Sequence, residues 1–409
     1  MHKGSNLERV GRYNLTVVLD LIRRSGEGLS RVQLVESTGL STQTVSNIVR
    51  RLLEEGLVAE TGKVAGKMGK PRTLLRIDAL SRFAVGVHLD PSVISCVLLD
   101  LSGAVAARSH IPIRSVAGPD QTVRVIAEAV DALIDKSGVE RGRVIGVGMA
   151  APGPMDASGG GVVGPPLLTG WERVDLCEGL RGATGLPVFL DKDSTAAAHG
   201  ELWISGESAP HDFAFVYLGT GLGSGLVING EVVRGSSNNV GEIGHFSAGI
   251  DGPVCSCGRP GCVGLTTMPS YLVGRAVEAG ILEPSAGEPD LQETMARLRL
   301  LAAEAREGSA AARAILRDSA TRLARAVEDI ASLLDLERIV FGGPSWPAVS
   351  GLYLAVMREA LADRKAVGAI HPLELVDSAL AEDVAAVGAG CLVLNELLSP
   401  RADGLLLVP

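Results

Sequence analysis

The sequence predicts an α/β protein: an N-terminal winged helix-turn-helix joined to a larger body of two related α/β halves around a cleft. Three observations carry this. Residues 1–80 hold 13 lysines and arginines against 8 acids, whereas the rest of the chain holds 25 against 39. Apolar residues in the head recur at helical spacing and are followed by a basic, glycine-rich stretch. From Phe83 the period becomes that of strands, in the order strand, strand, strand, helix, strand, and a second set of strands follows further along.

In the head, Leu15, Val18, Leu19 and Ile22 form one apolar helix face, which Ser25-Gly26 ends. Ser30 and Gln33 have capping-box spacing and open a second helix that stops near Gly39. Ser41 caps a third, whose stripe is Val45, Ile48, Val49 and Leu52. Short helix, tight turn, helix is the helix-turn-helix order. Opposite the third stripe lie Thr42, Gln43, Ser46, Asn47 and Arg50, types that hydrogen-bond base edges and phosphates in a major groove. A polar helix face alone is most often merely solvated, but the next segment adds weight. Leu57–Glu60 reads as a strand and Thr73–Ile77 as its return. The tip between them carries Lys63, Lys67, Lys70 and Arg72, a wing suited to phosphates, with Arg72 suited to a minor groove.

In the body, Phe83–Leu89, Val93–Asp100 and Val105–Ile113 read as strands, followed by a helix near 120–136 and a buried strand Val144–Met149. The second set starts at Phe213–Leu218, passes through the glycine-rich Gly219–Gly225 and continues in Leu226–Ile228. A helix at 318–334, a strand Arg338–Phe341 and a last helix near 382–398 complete it. The expected domains are therefore 1–80 and 81–409.

Composition bounds the function. With 46% hydrophobic and 21% charged residues, a large core is available and wholesale disorder is excluded. A net charge of −9 argues against a protein that coats nucleic acid over its whole surface, while a basic head on an acidic body fits a dedicated DNA-binding domain. No apolar run reaches the ~18 residues of a membrane span, and the N-terminus lacks a signal-peptide core, so a cytoplasmic protein without membrane attachment is expected. Three of the six cysteines crowd together, which points to a metal in a reducing compartment rather than to disulfides.

That crowding is His245, Cys255, Cys257 and Cys262, or H-x9-C-x-C-x4-C. Zinc favours four tetrahedral nitrogen and sulfur ligands, so one structural zinc per chain is expected, with Arg259 near enough to balance its thiolates. Cys96, Cys177 and Cys391 sit in apolar runs and are expected to be packing residues.

The chain resembles the ROK family (repressors, open reading frames, kinases), including regulators of the xylose and N-acetylglucosamine type. The resemblance rests on Gly241-Glu-Ile-Gly-His245 with Cys255–Cys262, and on Ala151–Pro154, Thr169–Trp171, Asp193–Glu201 and Gly219–Gly225. It implies an actin-like, sugar-kinase fold in two lobes, roughly 81–190 plus the C-terminal helix, and 191–380. It also implies that Asp193 matches the base that takes the sugar hydroxyl proton, and that Glu242 and His245 match sugar-contacting residues. The same comparison exposes departures. Both asparagines around Asp193 are gone, Leu167 stands for an asparagine, and Gly264 for a glutamate. The first phosphate loop, expected as Asp-x-Gly-Gly-Thr, reads His88-Leu-Asp-Pro-Ser92. Pro91 has no N–H to donate and Asp90 repels phosphate.

The expectation is a DNA-binding regulator, a repressor of carbohydrate genes, on pseudo-palindromic operators and as a homodimer or homotetramer. Its body would sense a sugar through Asp193, Glu242 and His245 and would have lost phosphoryl transfer. Gly219, Thr220, Gly221 and Gly223 would be a phosphate-loop remnant. The rivals are an ATP-dependent sugar kinase carrying a DNA-binding domain, and a regulator answering a protein partner or a sugar phosphate.

Overall fold

The computed structural model describes all residues except 1–6, 65–71, 114–117, 157–159, 166, 169, 206–210, 288, 363–370 and 400–409. The head comprises α1 (Leu7–Arg24), β1 (Leu29–Ser30), α2 (Arg31–Thr38), α3 (Thr42–Glu54), β2 (Val58–Val64) and β3 (Arg72–Ile77). The capping box on α2 forms as expected: Ser30 N–H donates to Gln33 Oε1 at 3.0 Å, and the Ser30 side chain accepts from Gln33 N–H. Ser41 caps α3 by accepting from Thr44 N–H at 3.1 Å. The strands pair in the order β1-β3-β2, which makes the wing.

The body begins with β4 (Phe83–Leu89), β5 (Val93–Asp100), β6 (Val105–Pro112), α4 (Pro119–Ser137), β7 (Val144–Ala151), α5 (Leu176–Thr184), β8 (Val188–Lys192) and α6 (Asp193–Ser205). It continues with β9 (Phe213–Leu218), β10 (Leu222–Ile228), β11 (Glu231–Val233), α7 (Val263–Thr267), α8 (Pro269–Glu278), α9 (Leu291–Glu307) and α10 (Ala310–Leu334). It ends with β12 (Arg338–Gly342), α11 (Trp346–Ala362), β13 (Glu374–Asp377) and α12 (Val384–Leu398).

Two five-stranded sheets follow the same path, β6-β5-β4-β7-β8 and β11-β10-β9-β12-β13. In each, the first three strands form an antiparallel meander and the last two add in parallel beside the first strand. The duplication is the two-halved body that the strand order predicted. Between the sheets lie α6 and α12, whose alanines pack with Phe213, Phe215, Tyr217 and Val340 in one core. Gly388 of α12 lets the backbones meet: a Cβ there would stand 1.7 Å from the Ala196 carbonyl oxygen.

The head shares its core with the first half. Leu15, Val18, Leu19 and Ile22 of α1 cluster with Ala84, Val97, Leu99, Trp203, Ala386, Val387 and Cys391. Cys96, Cys177 and Cys391 are buried, as their apolar neighbours predicted. No described helix is long and apolar enough to cross a membrane.

One strand starts earlier than its sequence pattern predicts. β10 begins at Leu222, so Gly223, Ser224 and Gly225 are strand residues opposite Tyr217, Val216 and Phe215. Small side chains there erase the alternating pattern that marks a strand, and only residues 219–221 remain as the turn. The first wing strand likewise runs on to Val64, into what reads as a loop.

Candidate functional site

On α3, Val45, Ile48, Val49 and Leu52 are buried, which turns the opposite face outward. Thr42, Gln43, Asn47 and Arg50 are exposed and Ser46 is half-buried. Gln43 donates to Asn47 Oδ1 at 3.2 Å, and Arg50 reaches the same oxygen at 3.4 Å. These side chains thus form one linked polar patch. Arg72 is exposed at the start of β3. Lys67 and Lys70 lie outside the described residues, as does the wing tip.

The metal-ligand set comes together. His245 closes a short 3-10 turn at Ile243–His245, and Cys255, Cys257 and Cys262 lie on the loop that follows. Their ligand atoms all lie within 4.8 Å of one another. Cys257 and Cys262 sulfurs are 3.6 Å apart, and Cys255 Sγ is 3.8 Å from His245 Nδ1. Two sulfurs each ~2.3 Å from one tetrahedral zinc would stand about 3.8 Å apart. The backbone N–H of Arg259 holds the Cys257 thiol down at about 6, whereas burial pushes Cys262 up to about 11. Helix α10 buttresses the loop, with Arg325 donating to the Ala248 carbonyl at 3.0 Å and Arg322 3.7 Å from Asp251. Neither arginine was legible from spacing. Arg259 serves through its backbone, its carbonyl accepting from Cys255 N–H at 2.9 Å.

Asp193 starts α6 directly after β8, half-buried, and accepts from Ser194 N–H at 2.6 Å. Burial raises its carboxyl to about 7, against the neighbouring Lys192 charge, which lowers it. Glu242 lies near enough to raise it further. Beside Asp193 and Glu242 the structure places a residue that the sequence pattern does not single out, Lys192. It is 2% exposed, and its Nζ donates to Glu242 Oε1 at 2.8 Å and to the Val240 carbonyl at 2.7 Å. Beside it, Asp191 pairs with Arg234 at 3.0 Å, and Asn239 both accepts from Met155 N–H and donates to its carbonyl. Segment 234–242 is therefore stitched to the first half at several points. A lysine ending an apolar strand just before Asp193 was the available signal. Leu167 is exposed with φ 67°, and Gly264 packs against Gly244, where a Cβ would meet the Gly244 carbonyl oxygen at 2.8 Å. No side chain fits at 264 without moving that backbone.

Of the two candidate phosphate turns, the first is closed on itself. At the β4–β5 turn, Asp90 N–H donates to the Val93 carbonyl and Val93 N–H to the Asp90 carbonyl. Ser92 N–H and its hydroxyl both donate to Asp90 Oδ1, at 2.8 and 2.5 Å. His88 is buried edge-on to Tyr217, whose hydroxyl is 3.3 Å from His88 Nε2, and burial holds the imidazole below its ordinary value. At the β9–β10 turn, Gly219 N–H is held by the Gly221 carbonyl and the Gly219 carbonyl accepts from the Ser345 hydroxyl at 2.7 Å. Gly223 lies within β10, against Ser194. Beside the first turn opens a cavity of about 430 Å³, lined in part by His88, Ser92, His110, Arg299 and Asp383.

Comparison with known proteins agrees with this architecture. The MarR family model matches residues 16–64. The chain is 25% identical over 374 residues to the xylose repressor of Caldicellulosiruptor bescii, covering 91% of this chain and 93% of that one. It is 29% identical over 323 residues to a glucokinase of Halalkalibacterium halodurans, covering 77% of this chain and 96% of that one. Among solved structures, a ROK family transcriptional regulator, homolog of the Escherichia coli MLC protein, superposes with a TM-score of 0.78 at 23% identity, covering 97% of this chain and 98% of that one. The ROK family model matches residues 84–396, the whole duplicated body from β4 to the last helix, and the chain belongs to the ROK family.

Proposed function

We propose that this chain is a sugar-responsive transcriptional repressor that binds operator DNA through α3 and the wing and has no kinase activity. One observation carries it: an intact helix-turn-helix is joined to a ROK body whose first phosphate hairpin satisfies its own N–H groups. Phosphoryl transfer depends on N–H groups and cations placed around the phosphates. Here a proline, a buried histidine whose burial disfavours its charged form and an inward-bonded aspartate occupy that place. The similarity to a xylose repressor over nearly the full length of both chains supports the same reading.

Division at residue 80 belongs to this reading, and the two family matches, ending at 64 and starting at 84, support it. Thr42, Gln43, Ser46, Asn47 and Arg50 would meet bases and phosphates, helped by Lys70 and Arg72. Asp193, Glu242 and His245 would line the effector pocket, with Lys192 fixing Glu242. A two-fold dimer in the cytoplasm would read pseudo-palindromic sites. His245, Cys255, Cys257 and Cys262 would hold one zinc. Their spacing fits a tetrahedral ion, and four protein ligands leave no open position, so bound zinc supplies bracing rather than hydrolytic chemistry.

The kinase reading draws on Asp193, which keeps its place at the start of α6 with a carboxyl near 7, and on the glucokinase similarity. A base contributes about 10²–10⁴-fold and only to a phosphoryl group already positioned. The two readings separate in one experiment on the full-length chain. Duplexes selected from a random pool are titrated with protein, then with D-xylose, D-glucose and N-acetyl-D-glucosamine, and ADP release is followed with the same sugars and ATP. Specific duplex binding without ADP release is expected. Sustained sugar-dependent ADP release, abolished by Asp193→Asn, would establish the kinase instead.

A further inference from the structure

Helix α6 has its first residue in the candidate effector pocket and its far end under the DNA-binding head. Asp193 opens the helix, and Trp203 lies ten residues on, about 15 Å along the axis at 1.5 Å per residue. Trp203 is 6% exposed and belongs to the core that α1 shares with the body. The Arg23 guanidinium of α1 stacks on its ring, 3.8 Å from the centroid. Arg23 is itself only 11% exposed and is held by Asp20 at 2.8 Å, which also pairs with Arg24. On the other side, Trp203 closes against the β5–β6 turn, where a Cβ on Gly103 would stand 2.8 Å from the ring. The indole is thus wedged between head and body.

Between these ends the helix has little freedom to bend or slide alone. Its Ala196 carbonyl abuts Gly388 of α12, and the Ser194 carbonyl abuts Gly225 of β10, where an added Cβ would lie 2.3 Å away. Ala386, Val387 and Cys391 of α12 enter the same core as α1. A displacement at Asp193 therefore has to move α6 with its neighbours. Trp203 Nε1 is buried with no hydrogen-bond partner among the described residues, and an unmade buried donor destabilises the arrangement that contains it. The head–body contact is held with a polar group unsatisfied, which keeps it less stable than a fully bonded one.

We propose that Trp203 is a positioning residue for the DNA-binding head: α6 carries displacement from the pocket at Asp193 to α1 through the Trp203–Arg23 stack. This deepens the regulator reading and rests on it for its biological meaning. Its test uses neither operator nor sugar. Amide hydrogen exchange is followed in the full-length chain at pH 8, in residues 15–22 of α1 and, as a control, in α10. Asp193→Asn, which removes the carboxylate charge at the pocket end, is expected to change α1 exchange at least threefold relative to α10, the ratio cancelling any change in global stability. In a Trp203→Phe background the same substitution is expected to change that ratio by less than 1.5-fold. If Trp203→Phe does not fold, Arg23→Met takes its place, since Asp20 keeps Arg24. A ratio unaffected by Asp193→Asn, or an equal effect with the stack removed, would overturn the proposal. Failure to bind any duplex would count against the repressor reading and leave this result standing.

Discussion

The Lys192 ammonium lies 2.8 Å from the Glu242 carboxylate and 2.7 Å from the Val240 carbonyl, so one buried lysine ties the end of β8 to the segment that leads to His245 and the three-cysteine loop. The two partners are unequal: Lys192 is 2% exposed, whereas the Glu242 side chain is 55% exposed. Removing Glu242 leaves a buried cation without its hydrogen-bonded carboxylate, with only the neighbouring Asp191 and Asp193 to offset it, while removing Lys192 leaves a carboxylate that water can solvate. Glu242→Ala is expected to cost about 1–3 kcal/mol, less than the 3–5 of a fully buried pair because solvent reaches the carboxylate. Lys192→Met is expected to cost under about 1.5 kcal/mol. Urea denaturation of the two variants gives the order, and equal or reversed losses would show that the pair does not hold segment 234–242.

Asp193 gives a pH signature. Burial raises its carboxyl from 3.8 to about 7, so the folded state binds the proton more tightly than the unfolded one. Its contribution to stability is therefore most favourable below pH ~4, declines as pH rises to about 7 and is flat beyond. Asp193→Asn removes this dependence. The variant is expected to be more stable than the parent at pH 8, by at most about 4 kcal/mol for a shift of that size, with the gap closing towards pH 4. Denaturation midpoints at pH 5 and 8 measure it. A gap that widens on acidification would contradict the raised value.

Much of this was legible in the sequence because the signals were local. The α3 stripe, the Ser30 capping box and the His245–Cys262 spacing each specify geometry within one short segment of chain, and each forms. Lys192 showed only as a lysine closing a strand before Asp193; its pairing was not legible, since its partner Glu242 lies fifty residues away in sequence. The start of β10 was hidden because Gly223, Ser224 and Gly225 carry no alternating pattern, although they pair across to Tyr217, Val216 and Phe215. The self-closure of the first phosphate hairpin was only half visible. Pro91 announced a lost N–H, but the bonds from Ser92 to Asp90 needed coordinates. Trp203 beneath Arg23 joins residues 180 positions apart, beyond any periodicity.

Metal loading is expected at about one zinc per chain after reduced purification. Cys257→Ser removes a ligand from a set with no spare, so the variant is expected to lose the ion and melt at a lower temperature, because metal-binding energy is folding energy at such a site. Elemental analysis with thermal denaturation reads both. Full zinc content in Cys257→Ser would remove that sulfur from the set.

The wing is expected to act through phosphates. Lys70→Ala with Arg72→Ala should weaken all duplexes about equally and reduce the slope of log K against log salt by roughly 2, near 0.9 for each phosphate no longer neutralised. Titrations from 0.05 to 0.3 M salt give the slope. An unchanged slope would place both side chains away from the backbone.

Base reading is proposed for α3, where Arg50 stands exposed beside Asn47 and Gln43. The most direct measurement is the affinity of full-length parent and Arg50→Ala for the preferred duplex and for a scrambled one, at fixed salt. A good base contact is worth about 1–3 kcal/mol, so the variant is expected to lose about 5–150-fold on the preferred duplex and far less on the scrambled one. Equal affinity of parent and variant for the preferred duplex, or no preference by the parent at all, would contradict sequence-specific binding through this helix.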